Sequence, residues 1–164
     1  MREILFKAKR LDNGEWVEGS LLQTTAVSLK SFIVESSCYT FDKWDWNECA
    51  QVDTDTICQY TGLTDKNGKK IWENDVVKFE DCEMSTESGY GDCFVNVGKI
   101  AYDTDTMSYF ITDRITVDME DMDIKNDIEV IGNIFDNPEL LGEWENDERW
   151  SFKSIWFKND KKRP

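Results

Sequence analysis

The sequence predicts a mostly β protein, with a small barrel built from its middle and end. Two hairpins are written into its first half, each around a turn that contains Asn-Gly. About five short strands separated by tight turns fill the middle and end, a pattern of small β barrels. Helix signals are few: one short stretch near residue 140, and "SFKSIWF" in the tail, which suits a strand or one helical turn.

The first hairpin lies in "EILFKAKRLDNGEWVEGSLL". Ile4 and Phe6 alternate with charged neighbours, Asp12-Asn13-Gly14 makes the turn, and Trp16 and Val17 open the return strand. Asn and Gly suit such a turn because both tolerate positive φ. Residues 24–36, rich in Thr, Val, Ile, Phe and Ser, favour extended structure. The stretch 38–50, "CYTFDKWDWNECA", fits neither period and reads as an irregular loop or an exposed strand. Trp44 and Trp46 stand two apart, so on a strand they share one face. They are candidates for partner binding, against the plainer reading of packing onto a neighbouring element.

The second hairpin is "QYTGLTDKNGKKIWENDVVKF", 59–79. Asp65-Lys66-Asn67-Gly68 makes its turn, Ile71 and Trp72 follow it, and "DVVKF" starts a further strand. Asp65 and Asn67 suggest a calcium loop, but Lys69 stands where a third ligand is needed and the distal Glu is missing. A plain turn is expected there. Residues 80–93, polar and broken by Gly89 and Gly91, read as a loop. "FVNVGKIAYD" and "SYFITDRITVDM" are two strands joined by Thr104-Asp105-Thr106, and "IEVIGNIF" is a last, mostly buried strand. In 136–142, Asn137 caps, Pro138 suits the first helical position and Glu139 the positive end of a short helix.

Composition narrows the chemistry. The 164 residues are 40% hydrophobic and 13% aromatic, enough for a real core. Acidic residues number 34 against 19 basic, for a net charge of −15. Such a chain repels phosphate backbones and anionic membranes and attracts basic proteins. There is no histidine, which removes Ser-His-Asp and Cys-His sites and metal centres built on imidazole. The five cysteines form no CxxC pair, and the charged start "MREILFKAKR" is unlike a signal peptide. Free thiols in a reducing cytoplasm are therefore expected. No apolar run approaches the ~20 residues that span a bilayer.

Three groups of residues stand out as possible carriers of function. Asp53-Thr54-Asp55 and Asp103-Thr104-Asp105 repeat "DTDT". Paired carboxylates bind Mg²⁺ or divide acid and base roles, but turn-forming hydrogen bonds by Asp and Thr explain both copies. From Asp118 to Glu148 runs an acidic belt of twelve carboxylates and one base, Lys125. Asp118, Glu120, Asp121 and Asp123 head it; on a strand, Asp121 and Asp123 share a face about 6.6 Å apart. Such a row imitates a phosphate backbone only if a second row lies beside it; otherwise it solvates a loop. Trp144, Trp150 and Trp156 stand six apart in the tail, a spacing that fits neither a helical stripe nor a solenoid repeat, but the apolar side chains between them suit contact with a partner or a second copy.

The block 59–79, followed by "IEVIGNIFDNPELL", resembles the YopX family of phage and prophage proteins, and "MREILFKAKRLDNGEWVEGSLL" is similar to its N-terminal pattern. The family form carries a Tyr and a Gly where this chain has Trp72 and Asn74. The resemblance implies an N-terminal part, 1–58, that is mostly β or α+β and open to oligomerisation. It implies an SH3-like barrel over 59–142 and leaves 143–164 as a tail beyond the family scaffold. No catalytic residue carries over.

The expected function is that of a cytoplasmic phage or prophage accessory protein that binds a host or phage protein. No enzyme activity, cofactor, metal, direct nucleic-acid contact or membrane contact is expected. Two alternatives stay open. One is an acidic DNA mimic that inhibits a host nucleic-acid-binding protein. The other is a small-ligand or nucleotide-signal binder, in which Trp44, Trp46 or Trp72 stacks on a base and Lys69, Lys70, Lys99 and Arg114 converge.

Overall fold

The computed structural model describes residues 3–24, 30–35, 39–40, 43–44, 49–84, 91–112 and 128–142. It is mostly β, as the alternation of apolar and polar residues demands. It divides into two compact units, Met1–Glu73 and Asn74–Pro164.

The first unit holds strands β1 (Phe6–Lys9), β2 (Trp16–Thr24), β3 (Lys30–Val34), β6 (Ala50–Val52), β7 (Cys58–Thr64) and β8 (Lys70–Trp72). They form one antiparallel sheet in the order β6-β3-β2-β1-β7-β8. The first hairpin forms as expected, with Lys9 opposite Trp16 and Phe6 opposite Gly19. Its turn closes by Gly14 N–H to the Arg10 carbonyl at 3.0 Å, with Gly14 at φ 74°. Two short strands, β4 (Tyr39–Thr40) and β5 (Lys43–Trp44), pair with each other inside the aromatic stretch.

The sheet curls. Arg10 bridges Val52, Leu11 N–H donates to the Gln51 carbonyl at 3.0 Å, and Asp53 N–H donates to the Lys9 carbonyl at 2.8 Å. The end of β1 thereby meets β6 from the far side of β2 and β3. Inside the curl lie Ala8, Val17, Ile33, Ala50 and Val52, with Phe6, Leu21 and Ile57 packed against them. β2 and β3 approach closely at Gly19, where a Cβ would overlap the Val34 carbonyl.

The second unit holds β9 (Asp75–Met84), β10 (Gly91–Asp103), β11 (Ser108–Ile111) and β12 (Glu129–Asn133), in the order β11-β10-β9-β12. Helix α1 (Glu139–Gly142) follows β12. It starts as the sequence predicts, with Leu140 N–H bonded to the Asn137 carbonyl. Buried apolar residues of this unit include Val76, Val77, Phe79, Val97, Ile100, Ile128 and Val130. β12 shifts register between Val130 and Gly132, and a Cβ on Gly132 would press on Leu140 and Asn137.

Several expectations need correction. Among the described residues, β11 and β12 are opposite edges of an open sheet and do not pair, so the SH3-like barrel is not closed. β11 pairs with β10 and β12 with β9. Residues 80–93 are not a loop throughout: β9 runs on to Met84 and β10 starts at Gly91. Alternating apolar residues are not needed where two strands pair only with each other in an arm. The α+β alternative for the N-terminal part finds no α-helix among the described residues, only a 3-10 turn at Thr54–Thr56. The division expected after residue 58 differs from the one at Glu73, because β7 pairs with β1 and so carries the 59–72 hairpin into the first sheet.

Candidate functional site

The second hairpin is closed by a tight turn around Asp65. Asp65 is buried, and its Oδ1 accepts from Asn67 N–H at 2.8 Å and Lys69 N–H at 2.9 Å. The carboxylate that hinted at calcium holds its own turn. Between Tyr60 and Thr64 the register shifts, with Gly62 at φ 89°. The Thr61 hydroxyl donates to the Ile71 carbonyl at 2.8 Å across the bulge.

Both "DTDT" copies are likewise turns. Asp53 Oδ1 accepts from Asp55 N–H at 3.1 Å and caps the 3-10 turn. Thr56 then accepts from Lys9 N–H at 2.9 Å, tying the turn to β1. Asp103 Oδ1 accepts from Asp105 N–H at 2.9 Å, and its Oδ2 accepts from the Thr106 hydroxyl at 2.8 Å. These donors hold the Asp103 carboxyl below its ordinary value, the Asp105 N–H foremost. Among the described residues, no group of three or more His, Cys, Asp or Glu is placed to hold a metal ion.

One face of the first sheet gathers lysines and aromatic rings that sequence reading did not connect. Lys7 Nζ lies 5.0 Å from the Trp16 ring and 5.4 Å from the Trp72 ring. Lys9 Nζ lies 5.6 Å from Trp16. Lys70 Nζ lies 5.6 Å from both Tyr60 and Trp72 and pairs with Glu18 at 3.1 Å. Period-two spacing puts Lys7 and Lys9 on one face of β1, with Ala8 turned to the core. Register then sets Trp16 beside Lys9 and Trp72 beside Tyr60. The signal was present in the "KAK" of β1, but only the pairing of β1 with β7 discloses it.

Trp72 is only 3% exposed and Tyr60 is buried, so these rings offer no open face for a stacked base. Of the cations that reading required, Lys70 is at Trp72, Lys99 lies in β10 of the other unit, and Arg114 is outside the described residues. The arrangement is a packed cation–π cluster, of a kind worth about 0.5–2 kcal/mol per contact.

An open apolar surface is found instead on the β10–β11 hairpin. Met107, at its tip, is 79% exposed. Tyr102 and Phe110 are exposed as well, and Val95 further along β10. Phe110 faces Ala101 across the ladder, while Tyr102 faces Tyr109 on the opposite side with ring centroids 5.1 Å apart. The hairpin therefore shows apolar side chains on both faces.

Most candidates read from the sequence are not among the described residues. Trp44 is placed by its backbone in β5 opposite Tyr39. Trp46, Asp118, Glu120, Asp121, Asp123, Trp144, Trp150 and Trp156 lie outside the described residues.

The YopX protein family model matches residues 5–142. The chain belongs to the YopX family. The match spans both units of this YopX chain and stops at the end of α1, so the tail from residue 143 lies beyond it. The YopX chain is also similar to the crystal structure of protein EF1440 from Enterococcus faecalis, at 22% identity and a TM-score of 0.47, over 86% of this chain and 99% of that one. No curated protein matches it. Among the described residues, no helix is long and apolar enough to cross a membrane.

Proposed function

We propose that this YopX-family chain is a phage or prophage accessory protein that binds a basic protein partner, with the tip of β10–β11 as the contact. The observation that carries the proposal is Met107. Its side chain is 79% exposed and its backbone holds φ 54°. That left-handed conformation costs a non-glycine residue roughly 1–2 kcal/mol. An apolar side chain held in water on a strained backbone is a feature of contact sites.

Charge supplies the partner's character. Asp103 and Asp105 precede Met107 in the same turn, within a chain of net charge −15. An apolar centre bordered by carboxylates complements a basic surface with an apolar hollow. The acidic belt from Asp118 to Glu148 adds to the same attraction.

The test is affinity capture of the full chain from a bacterial host lysate at low and high salt, with Met107→Gly beside wild type. Glycine accepts the backbone conformation, so the variant keeps the fold. The expected result is a basic protein held by wild type, released by salt and not held by Met107→Gly. Equal retention by the variant would exclude the tip, and the absence of any retained protein would exclude the binding role.

A further inference from the structure

We propose that Cys82 and Cys93 form a redox-active dithiol, which a small-molecule disulfide oxidises to a cross-strand disulfide that clamps the arm of the β9–β10 hairpin. The ladder of β9 with β10 runs unbroken from Val76↔Lys99 to Met84↔Gly91, and within it Cys82 is directly opposite Cys93. A slip of one residue would part them, and no register shift occurs along this ladder.

The kind of pair follows from hydrogen bonds further down. Thr112 N–H donates to the Lys99 carbonyl at 2.9 Å, so the backbone groups of Lys99 point towards β11. The Ile100 carbonyl accepts from Asn74 N–H at 2.8 Å, so even-numbered residues of β10 point towards β9. Cys93 is odd-numbered and on the same unbroken strand, which makes Cys82 and Cys93 a non-hydrogen-bonded pair. Cα atoms at such a pair stand about 4.5 Å apart, within the roughly 4.4–6.8 Å that a disulfide spans.

The arm has room to respond. β12 pairs β9 only over Asp75–Lys78, and the β11 ladder reaches β10 over Ile100–Asp103. Beyond these, among the described residues, 80–84 and 91–95 pair only with each other, and Val95 is 46% exposed. The other described cysteines are placed differently. Cys58 is fully buried, with its thiol donating to the Thr56 carbonyl, and its register partner on β1 is Lys7. Cys49 precedes β6, whose partner β3 carries no cysteine.

The chemistry is thiol–disulfide exchange. One cysteine thiolate attacks a sulfur of oxidised glutathione, forming a mixed disulfide and releasing one glutathione thiolate. The second cysteine thiolate attacks the protein sulfur of that mixed disulfide and releases the second glutathione. Two protein thiols are oxidised, one small disulfide is reduced to two thiols, and the two protons end on the released glutathiones.

The test titrates the full chain with oxidised and reduced glutathione near pH 8. Free thiols are then alkylated, the protein is digested without reduction, and the peptides are mapped by mass spectrometry. The expected result is the loss of two of the five thiols and a peptide pair linked through Cys82 and Cys93. Amide exchange over 80–84 and 91–95 should slow several-fold on oxidation. Cys82→Ser and Cys93→Ser should each abolish both effects, while the wild-type map stands by itself should either variant fold poorly. Recovery of Cys82 and Cys93 as separately alkylated or glutathionylated residues would overturn the proposal. So would bonds to other cysteines or between chains, or unchanged amide exchange in the oxidised arm.

Discussion

The side-chain amide of Asn133 donates to Asp75 Oδ1 at 3.0 Å, and both residues are buried. They stand opposite each other where β12 meets the start of β9. Asn133 Oδ1 also accepts from Phe135 N–H at 3.1 Å, and its backbone carbonyl accepts from Asp136 and Asn137. One side chain thus joins the first strand of the second unit to the turn that leads into α1. Removing it strips a donor from a buried carboxyl group, and such groups cost about 1–3 kcal/mol when left short of a partner. Asn133→Ala should lower the unfolding free energy by that amount, seen as a lower urea midpoint with an unchanged slope.

Asn74 sits at φ 66° between β8 and β9. Its N–H donates to the Ile100 carbonyl, and its own carbonyl accepts from Ile134 N–H at 3.1 Å, so the backbone cannot swing to a negative φ without losing both. This accounts for the departure from the family's glycine at this position. Asparagine is the residue that best tolerates the left-handed region after glycine. Asn74→Gly should change thermal stability little, whereas Asn74→Val should lower it by about 1–2 kcal/mol. Equal melting temperatures for the two variants would contradict this account.

The Asp103 carboxyl titrates below its ordinary value of 3.8, chiefly through the Asp105 N–H and then the Thr106 hydroxyl. A carboxyl depressed on folding contributes stability that is present above its unfolded pKa and lost as pH falls through the depressed value. The effect therefore belongs to the window below pH 3.8. Thr106→Val removes the second donor and should move the carboxyl midpoint upward, read by NMR of the Asp103 side chain. Because its donors are a neutral N–H and a neutral hydroxyl, salt should leave this shift largely in place, whereas the charge attraction within the exposed Arg10–Asp12 pair at 2.8 Å is screened.

Local chemistry was legible and distant pairing was not. The Asn13-Gly14 and Asn67-Gly68 turns, the Asp and Thr hydrogen bonds of both "DTDT" copies and the Asn137–Pro138 helix start are all decided within about four residues, where propensity governs. The 80–93 stretch reads as a loop in sequence because β9 and β10 extend into an arm of polar residues, whose pairing is set by the ladder below it rather than by alternation. The membership of β7 and β8 was also hidden. Lys7 opposite Cys58 is a contact over fifty residues of chain, and no local pattern announces it. The open sheet of the second unit depends on which edges β11 and β12 use, a long-range choice of the same kind. Nothing local marks Met107 for positive φ, a conformation that favours glycine and asparagine over methionine.

Gly98 shows how closely β10 and β11 approach. It is buried in mid-strand, and a Cβ there would overlap the Thr112 carbonyl oxygen and stand 2.8 Å from Ile111 Cγ2. The first of these obstacles is backbone, which cannot rotate away as a side chain would. Thr112 is fixed in turn, since its N–H donates to the Lys99 carbonyl at 2.9 Å and its hydroxyl accepts from Lys99 N–H at 2.9 Å. Gly98→Ala must therefore separate the strands at the root of the hairpin. Overpacking of this kind costs about 1–3 kcal/mol. The variant should melt lower, and the Thr112 amide should exchange faster while amides of the first sheet keep their wild-type rates. A Gly98→Ala chain with unchanged Thr112 protection would show that the strand end yields freely, and that the hairpin carrying Met107 is anchored elsewhere.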